Sequence, residues 1–171
     1  MRIVKGRFAG RTLSSPARRV RPTPEEVRSR GLDLIEEALE GARVLDLFAG
    51  SGALGLEALS RGADRVDFVE NGAAALHALK ANVAALRATK RARIFKKDVI
   101  PWIQRLDEGA YDVAFADPPY GSAKLDRVVE RWIEVPFSRI LVAEHDKSHV
   151  LPGGGASHDF EGPTRLTILT A

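Results

Sequence analysis

The sequence predicts a single α/β domain with a mainly parallel, doubly wound β-sheet. From Arg43 onward, short apolar segments alternate regularly with segments of helical pattern, and this alternation is typical of such sheets. A glycine-rich turn, Gly50 to Gly55, joins the first of these strands to its helix. A length of 171 residues suits one domain with a sizeable core.

Apolar runs define the strands, and the segments between them define the helices. The strands at 44–48 and 111–116 are the clearest, because each is a short and largely apolar run bounded by turn residues. In chain order, the pattern predicts strands at 44–48, 65–69, 92–95, 111–116, 139–143 and 165–169, and helices at 53–60, 73–86, 101–106 and 125–133. Gly153 to Gly155 mark a mobile turn before the last strand.

The segment before this alternation has a different pattern. Residues 2–14 alternate loosely and turn at 8–11, which predicts a short β-hairpin that packs on the main domain as an arm. A helix is expected to start with Thr23 as its N-cap and Pro24 at the first helical position, and to run to Leu39. We therefore expect a basic N-terminal arm over residues 1–23 and the main domain over residues 24–171.

Charge is unevenly distributed along the chain. Residues 1–30 contain nine lysines or arginines and two glutamates, a net charge of +7, whereas the whole chain has a net charge of +3. A second basic block, residues 87–97, contains six lysines or arginines and no acid. Two such clusters beside an otherwise acidic domain favour a nucleic-acid partner over simple solvation of the charges.

Composition excludes several classes of protein. No stretch has the roughly 18 apolar residues that a membrane span needs, and residues 1–6 lack the apolar block of a signal peptide. The absence of cysteine excludes disulfides and thiolate metal sites and fits a reducing compartment. We therefore expect a soluble cytoplasmic protein.

The remaining histidines and tryptophans are not predicted to act in the chemistry. No metal-ligand spacing relates His77, His145, His149 and His158, which are expected at the surface or in loops. Trp102 and Trp132 lie in helical patterns and are expected in the core or at an interface rather than as platforms for stacked bases.

The sequence Asp117-Pro118-Pro119-Tyr120 follows the fourth predicted strand. Two successive prolines cannot continue a strand, so the chain must leave the sheet at its carboxyl edge, where open α/β sheets bind ligands. A carboxylate, backbone carbonyls and an aromatic ring suit an exocyclic amine on a flat base, because the oxygens accept its N–H bonds and the ring stacks on its face. We assign catalysis to these four residues; the alternative is a proline-rich turn capped by Asp117.

The glycine turn predicts a nucleotide site, because G-x-G-x-x-G brings backbone N–H groups close to a ligand. The motif alone also fits NAD. Asp46 argues against NAD, because a carboxylate within an apolar strand needs a donor or a cation and a pyrophosphate would add to the charge conflict. The chain also has no room for a separate substrate domain, and Asp-Pro-Pro-Tyr has no role in hydride transfer.

Two further acids follow successive predicted strands. Glu70 is placed to accept both ribose hydroxyls of an adenosine, and Asp98 to accept the adenine amino group. A ligand that also carries an ammonium and a sulfonium group would relieve the charge conflict at Asp46. S-adenosylmethionine fits this set, although both acids could equally be ordinary residues at helix N-termini.

Four segments together resemble the bacterial RsmD-type small-subunit ribosomal RNA guanine-N2 methyltransferases. The longest runs from Val44 to Ala63, and the others are Arg2-Ile3-Val4…Gly10-Arg11, Arg21-Pro22-Thr23…Val27-Arg28 and Asp117-Pro118-Pro119-Tyr120. The resemblance covers almost the whole chain. It implies the class I methyltransferase fold, a Rossmann-like sheet of seven strands whose last strand is antiparallel. It also implies that S-adenosylmethionine methylates a guanine 2-amino group in 16S ribosomal RNA, in the small subunit or its assembly intermediate.

With this resemblance, the sequence predicts two sets of binding residues. The cofactor-binding residues are expected to be Asp46, Phe48, Ala49, Gly50, Ser51, Gly52, Gly55, Glu70, Asn71, Asp98, Val99 and Asp117. The RNA-binding residues are expected to be Arg2, Lys5, Arg7, Arg11, Arg18, Arg19, Arg21, Thr23 and Arg28. The sequence departs from the family pattern after Arg28, where Ser29 stands in place of an acid, and after Glu70, where Asn71-Gly72 replaces the commoner charged pair.

Three other functions share part of this pattern. A DNA adenine or cytosine amino-methyltransferase shares the Asp-Pro-Pro-Tyr sequence but normally needs a target-recognition domain, for which the chain has no room. A glutamine methyltransferase acting on protein favours Asn at the position of Asp117. A non-catalytic RNA-binding assembly factor would retain only a vestigial cofactor pocket. We expect a monomeric enzyme.

Overall fold

In the computed structural model, which describes residues 1–15 and 24–171, a seven-stranded sheet carries helices on both faces. The strands are β1 (Arg43–Leu47), β2 (Arg65–Glu70), β3 (Ala92–Lys96), β4 (Tyr111–Ala116), β5 (Ser138–Asp146), β6 (Ala156–Asp159) and β7 (Thr164–Thr170). The helices are α1 (Glu25–Asp33), α2 (Ala53–Ser60), α3 (Ala73–Ala85), α4 (Val99–Ile103) and α5 (Lys124–Glu134), with a 3₁₀ turn at Glu36–Ala38.

The strand order is β3-β2-β1-β4-β5-β7-β6. The first five strands are parallel to one another, and β7 is antiparallel to both of its neighbours, β5 and β6. The predicted fold class is therefore confirmed, including its antiparallel last strand. The central pair is β1 and β4, in which Leu47 lies opposite Ala116. Their carboxyl ends meet, so the glycine turn and the Asp-Pro-Pro-Tyr sequence are neighbours.

Each face of the sheet has its own hydrophobic cluster. On one face, α1, α2 and α3 cover the sheet through residues such as Leu32, Leu56 and Leu79. On the other face, α4 and α5 cover it through residues such as Ile103 and Trp132. The strands read as nearly continuous apolar runs because both faces are buried.

The N-terminal arm is a hairpin-like loop with little strand pairing. Its predicted turn forms, since the N–H of Arg11 donates to the carbonyl of Phe8 at 3.1 Å. Three backbone hydrogen bonds join its two sides around the bridge between Arg2 and Thr12: Ile3 to Arg11 at 3.0 Å, Gly10 to Ile3 at 2.9 Å and Leu13 to Met1 at 2.9 Å. The arm is thus a short hairpin without extended strands. It also packs on the main domain, since the N–H of Phe8 donates to Ser60 Oγ at 2.8 Å.

Glycine is required where the arm turns against the end of α2. Gly6 has a φ of +82°, and a Cβ at this position would lie 1.9 Å from the carbonyl oxygen of Ser60. Only glycine combines this backbone conformation with so close an approach. The contact fixes where the basic arm lies on the main domain.

Two predicted helices differ from the structure, and one strand was not predicted. The first helix ends at Asp33 rather than at Leu39, and Pro24 is its N-cap rather than its first helical residue. The fourth helix spans Val99–Ile103 and not residues 101–106, because Asp98 caps it. The residue pattern did not indicate β6, whose residues, Ala156–Asp159, are mostly exposed and polar at the sheet edge.

A separate observation concerns membrane insertion. Over residues 1–15 and 24–171, no helix has both the length and the apolar character needed to span a bilayer.

Candidate active site

The turns that follow β1 and β4 lie side by side at the carboxyl edge of the sheet, because Leu47 pairs with Ala116. We call the space between these two turns the cleft. The backbone of the first turn is strained at its start, since Phe48, which lies just beyond β1, has a φ of +60°. Gly50 and Gly52 follow with φ values of +57° and +81°. Left-handed residues are costly unless they are glycine and concentrate at functional sites. The turn folds the chain sharply into α2.

The glycines in this turn have different surroundings. A Cβ on Gly52 would lie 2.4 Å from Leu79 Cδ1, and one on Gly55 would lie 2.4 Å from Phe68 Cε1, so these two glycines allow α2 to pack closely on the core. A Cβ on Gly50 would meet nothing closer than 3.9 Å. Gly50 therefore leaves open space where a bound nucleotide can approach the backbone.

Asp46 lies in β1 directly beneath the turn and is 2% exposed. The N–H of Gly55 donates to its Oδ2 at 2.9 Å. Burial raises the pKa of Asp46 well above its usual value, the Gly55 hydrogen bond opposes this, and the neighbouring charges of Asp117 and Glu70 raise it further. A cation in the cleft would stabilise the ionised form of this carboxyl group. The ammonium group of the predicted cofactor is such a cation.

Glu70 ends β2, as predicted, and is half-buried beside the turn. Its Oε2 accepts the N–H of Gly50 at 2.8 Å, and its Oε1 accepts those of Asn71 at 2.8 Å and Gly72 at 2.7 Å. A carboxylate has about four acceptor positions, so this one has room for one more donor. The contact of Glu70 with both ribose hydroxyls stays a prediction.

Asp98 follows β3 and caps α4, accepting the N–H of Ile100 at 3.1 Å. That hydrogen bond and the ammonium group of Lys124, 3.4 Å away, hold the pKa of the Asp98 carboxyl below its usual value. The side chain is thus a helix cap that also faces solvent at the carboxyl edge. Its neighbour Val99 is buried. An adenine contact for Asp98 stays a prediction.

The second side of the cleft is formed by Asp-Pro-Pro-Tyr. Asp117 is partly buried and Pro118 is buried, whereas Pro119 and Tyr120 are exposed. The hydroxyl of Tyr120 lies 2.8 Å from Thr164 Oγ1, which fixes the ring while 41% of the residue remains exposed. The chain therefore presents an acid, a turn and an oriented aromatic ring next to one another.

A cavity of about 410 Å³ extends from this sequence toward the end of β5. Its walls include Pro118, Tyr120, Glu144 and His149. The predicted strand ends at Ala143, whereas β5 continues to Asp146 and includes Glu144, which is 6% exposed and was not among the predicted site residues. An acid at the end of an apolar strand is the signal that could have identified it, as it did for Glu70. Glu144 and Asp117 also both line a smaller cavity beneath α1.

The RNA contact predicted for Arg28 does not fit the position of this residue. It is 1% exposed, its Nε lies 3.6 Å from Glu57 Oε2, and its Nη2 donates to the carbonyl of Arg2. A guanidinium buried in this way cannot reach an RNA phosphate, so the prediction is wrong for Arg28. Arg28 lines the small cavity beside Asp117 and therefore supports the cleft from below.

The other residues predicted to contact RNA differ in their exposure and in whether an acid already pairs with them. Arg2, Lys5, Arg7 and Arg11 are exposed on the arm. Lys5 lies 2.6 Å from Asp33 and 3.7 Å from Glu36, so its charge is already compensated. Arg18, Arg19, Arg21 and Thr23, which was also the predicted helix cap, fall outside the described residues.

The prediction that His145 lies at the surface or in a loop is also wrong, because this residue lies within β5 and is 4% exposed. Its Nε2 lies 2.9 Å from Thr167 Oγ1, and burial lowers its pKa. Trp132 is buried as predicted and donates to the carbonyl of Ser138 at 3.0 Å. Trp102 packs on Phe95 with ring centroids 4.3 Å apart.

A strand order of this kind, with the cleft opening between β1 and β4, is the architecture of the class I S-adenosylmethionine-dependent methyltransferases. The chain has this fold, and the open space at Gly50 together with the buried acid below it suits such a cofactor.

Comparison with known proteins identifies the family. Residues 1–155 match the family model described as "Conserved hypothetical protein 95". The chain is 35% identical to the Bacillus subtilis protein named "Putative rRNA methyltransferase YlbH", over 89% of this chain and 86% of that protein. It is 34% identical to "Ribosomal RNA small subunit methyltransferase D" of Escherichia coli K12, over 75% and 65% of the two chains.

A solved structure agrees with these matches. The E. coli protein named "Putative methyltransferase yhhF" superposes with a TM-score of 0.84 at 27% identity, covering 98% of this chain and 96% of that chain. The chain belongs to the RsmD-type family of methyltransferases.

Proposed function

We propose that the protein transfers a methyl group from S-adenosylmethionine to the exocyclic 2-amino group of a guanine in 16S ribosomal RNA. The observation that carries the proposal is the position of Asp117-Pro118-Pro119-Tyr120, at the end of β4 and directly beside the glycine turn. Relatives named as small-subunit ribosomal RNA methyltransferases support RNA as the substrate. The protein would act as a monomer in the cytoplasm, on the small subunit or its assembly intermediate.

The chemistry requires that a weak nucleophile be held in place. The lone pair of the guanine 2-amino group is delocalised into the ring, and the cofactor supplies an electrophilic methyl group when it is bound. In the proposal, Asp117 and the carbonyl of Pro118 accept the two amino hydrogens and so orient the lone pair. Positioning of this kind can supply roughly 7–11 kcal/mol in favourable cases. Asp117 need not be a strong base, because the proton can leave after transfer.

The guanine has a place to bind beside Tyr120. The cavity of about 410 Å³ between Pro118 and Glu144 lies within the range of small-ligand pockets. A base stacked on an aromatic side chain gains about 1–3 kcal/mol. Because a loop base is extruded more cheaply than a paired one, the proposal favours a guanine in a structured RNA loop.

The proposal is tested by methyl transfer from labelled S-adenosylmethionine. The acceptors are small ribosomal subunits that lack the modification, naked 16S ribosomal RNA, and DNA as a control. We expect transfer to one of the ribosomal substrates and none to DNA. Transfer to DNA alone would support a DNA amino-methyltransferase. A protein that does not bind S-adenosylmethionine in a calorimeter would instead be a non-catalytic assembly factor.

Asp46→Asn is expected to stabilise the free protein and to weaken cofactor binding. The pKa of Asp46 is raised in the folded protein, whereas in the unfolded chain it is near 3.8. Between these two pH values the folded protein holds a proton that the unfolded chain has lost. Stability therefore falls as pH rises from 3.8 through the raised pKa. Asparagine can still accept the Gly55 N–H but does not ionise, so urea unfolding at neutral pH should give a higher unfolding free energy.

The same variant lacks the charge that would face the ammonium group of the cofactor. A hydrogen bond to a charged group contributes about 1.5–3 kcal/mol, which corresponds to a loss of roughly 10- to 150-fold in affinity. Calorimetry with S-adenosylmethionine measures this loss. If the variant and the original protein show the same pH dependence of stability and the same affinity, Asp46 has neither role.

A further inference from the structure

We infer that an arginine-lined pocket, remote from the cleft, binds a phosphate of the RNA backbone; this inference rests on the proposed function and extends it. The pocket lies between the N-terminal arm and the turn that joins α3 to β3, and its cavity measures about 490 Å³. Four arginines line it, Arg7, Arg11, Arg87 and Arg91, and Phe8 adds an aromatic wall. We call it the arginine pocket.

Two of the four arginines are fixed in place by the protein backbone. Arg11 Nη2 donates to the carbonyl of Ala85 at 2.9 Å. Arg91 donates through Nε to the carbonyl of Asp64 at 2.8 Å and through Nη2 to that of Ala63. A guanidinium has five N–H donors, so each side chain keeps donors for a ligand. These contacts hold two positive charges at the pocket walls before any ligand binds.

The other two arginines are uncompensated. Arg7 and Arg87 are exposed, and within the described part of the chain neither has a hydrogen bond or ion pair to an acid. No aspartate or glutamate is among the described residues that line the pocket. Four like charges around one cavity repel one another, and an anion that accepts hydrogen bonds from several guanidinium groups removes that repulsion.

The backbone at Arg87 provides an independent observation. Arg87 follows the C-cap of α3 with a φ of +52°, the position that helices usually give to glycine. The helix end is a complete Schellman motif, in which the N–H of Arg87 donates to the carbonyl of Ala84 and that of Ala88 to the carbonyl of Val83, both at 2.9 Å. Glycine would satisfy the same bonds without the strain. An arginine here is unfavourable for the fold and places its side chain in the pocket.

The position of the pocket sets a minimum length for an RNA that reaches both sites. Helix α3 begins after β2, at the carboxyl edge that carries the cleft, and its 13 residues run to the opposite edge of the sheet. At 1.5 Å per residue the helix is about 20 Å long. A phosphate in the arginine pocket therefore lies about that far from a guanine in the cleft. An RNA that occupies both sites at once must therefore extend well beyond the target nucleotide.

The test uses Arg87→Asn, since asparagine tolerates the left-handed conformation and carries no charge. Binding of small ribosomal subunits that lack the modification is measured over a series of salt concentrations. We expect the slope of log affinity against log salt to decrease by about one, the value for one lost phosphate contact. Arg87→Lys should restore most of the slope. Arg105→Asn, which removes an exposed arginine outside the pocket, should leave it unchanged.

A second readout separates this role from a structural one. Arg87→Gly relieves the left-handed strain, so its unfolding free energy should equal or exceed that of the original protein while its salt slope falls. If Arg87→Asn and Arg87→Gly bind subunits with the original slope, the pocket does not hold a phosphate. That result leaves the proposed function intact as long as subunits are still methylated, whereas an original protein that neither binds nor methylates any ribosomal substrate overturns the proposed function itself.

Discussion

Asp117→Ala is expected to lower the rate of methyl transfer by at least about 1,000-fold, while S-adenosylmethionine still binds with nearly its original affinity. The alanine removes the acceptor that orients the amino group, and loss of one such preorganised contact typically costs a factor of about 100–1,000. Because the target is also a weak nucleophile, the effect should lie at or beyond the upper end. Single-turnover transfer to small subunits, with cofactor binding measured separately by calorimetry, gives both quantities.

Two further variants make this prediction specific. Asp117→Asn keeps the shape and one acceptor oxygen but loses the charge, so its rate should lie between those of Asp117→Ala and the original protein. Asp112→Asn is the matched control, because Asp112 lies at the other end of β4 and accepts the backbone N–H of Arg43 at 2.8 Å. It should transfer methyl groups at the original rate. Full activity in Asp117→Ala would remove Asp117 from the mechanism.

Glu57→Ala is expected to destabilise the protein by about 3–5 kcal/mol, the usual effect of removing one partner from a buried ion pair. Glu57 is 0% exposed in α2 and pairs with two buried arginines, Arg28 at 3.6 Å and Arg61 at 3.2 Å. Its carboxylate also accepts the backbone N–H groups of Val4 and Lys5, at 2.9 Å each. Alanine would leave both arginines and both amides without this acceptor.

The arm should detach in the same variant. Limited proteolysis should cut residues 1–15 faster in Glu57→Ala than in the original protein, and urea unfolding gives the loss of stability. Glu26→Ala is the control, because Glu26 forms an exposed pair with Arg30, 3.3 Å away. Such pairs contribute at most about 0.5 kcal/mol. If Glu57→Ala unfolds at the same urea concentration as Glu26→Ala, Glu57 does not anchor the arm.

The parts of the fold that follow from local pattern were predictable from the sequence. The strand at 111–116 and the helix at 53–60 were predicted with the bounds that the structure shows, because an apolar run and a glycine turn specify them locally. The polar edge strand β6 was not predictable, since its residues pair with β7 and bury little of their own surface.

The network around Glu57 could not be predicted for a different reason. A charge pattern alone indicates solvated arginines. Arg61 is an i,i+4 neighbour of Glu57 at the end of α2, but both side chains are buried because the fold also brings Arg28 to this carboxylate from α1. The left-handed backbone at Arg87 and the burial of Glu144 likewise depend on tertiary packing. The placement of Asp46, Glu70 and Asp117 near one another was predictable, because strand ends in a parallel sheet meet at one edge; their chemical roles stay predictions.

The most direct measurement is the identity of the modified nucleoside. Small subunits that lack the modification are incubated with the protein and S-adenosylmethionine, and their RNA is digested to nucleosides and analysed by mass spectrometry. The account predicts N2-methylguanosine at a single position, formed by the original protein and absent with Asp117→Ala. Methylated adenosine or cytidine, or a methyl group on a guanine ring nitrogen, would contradict it.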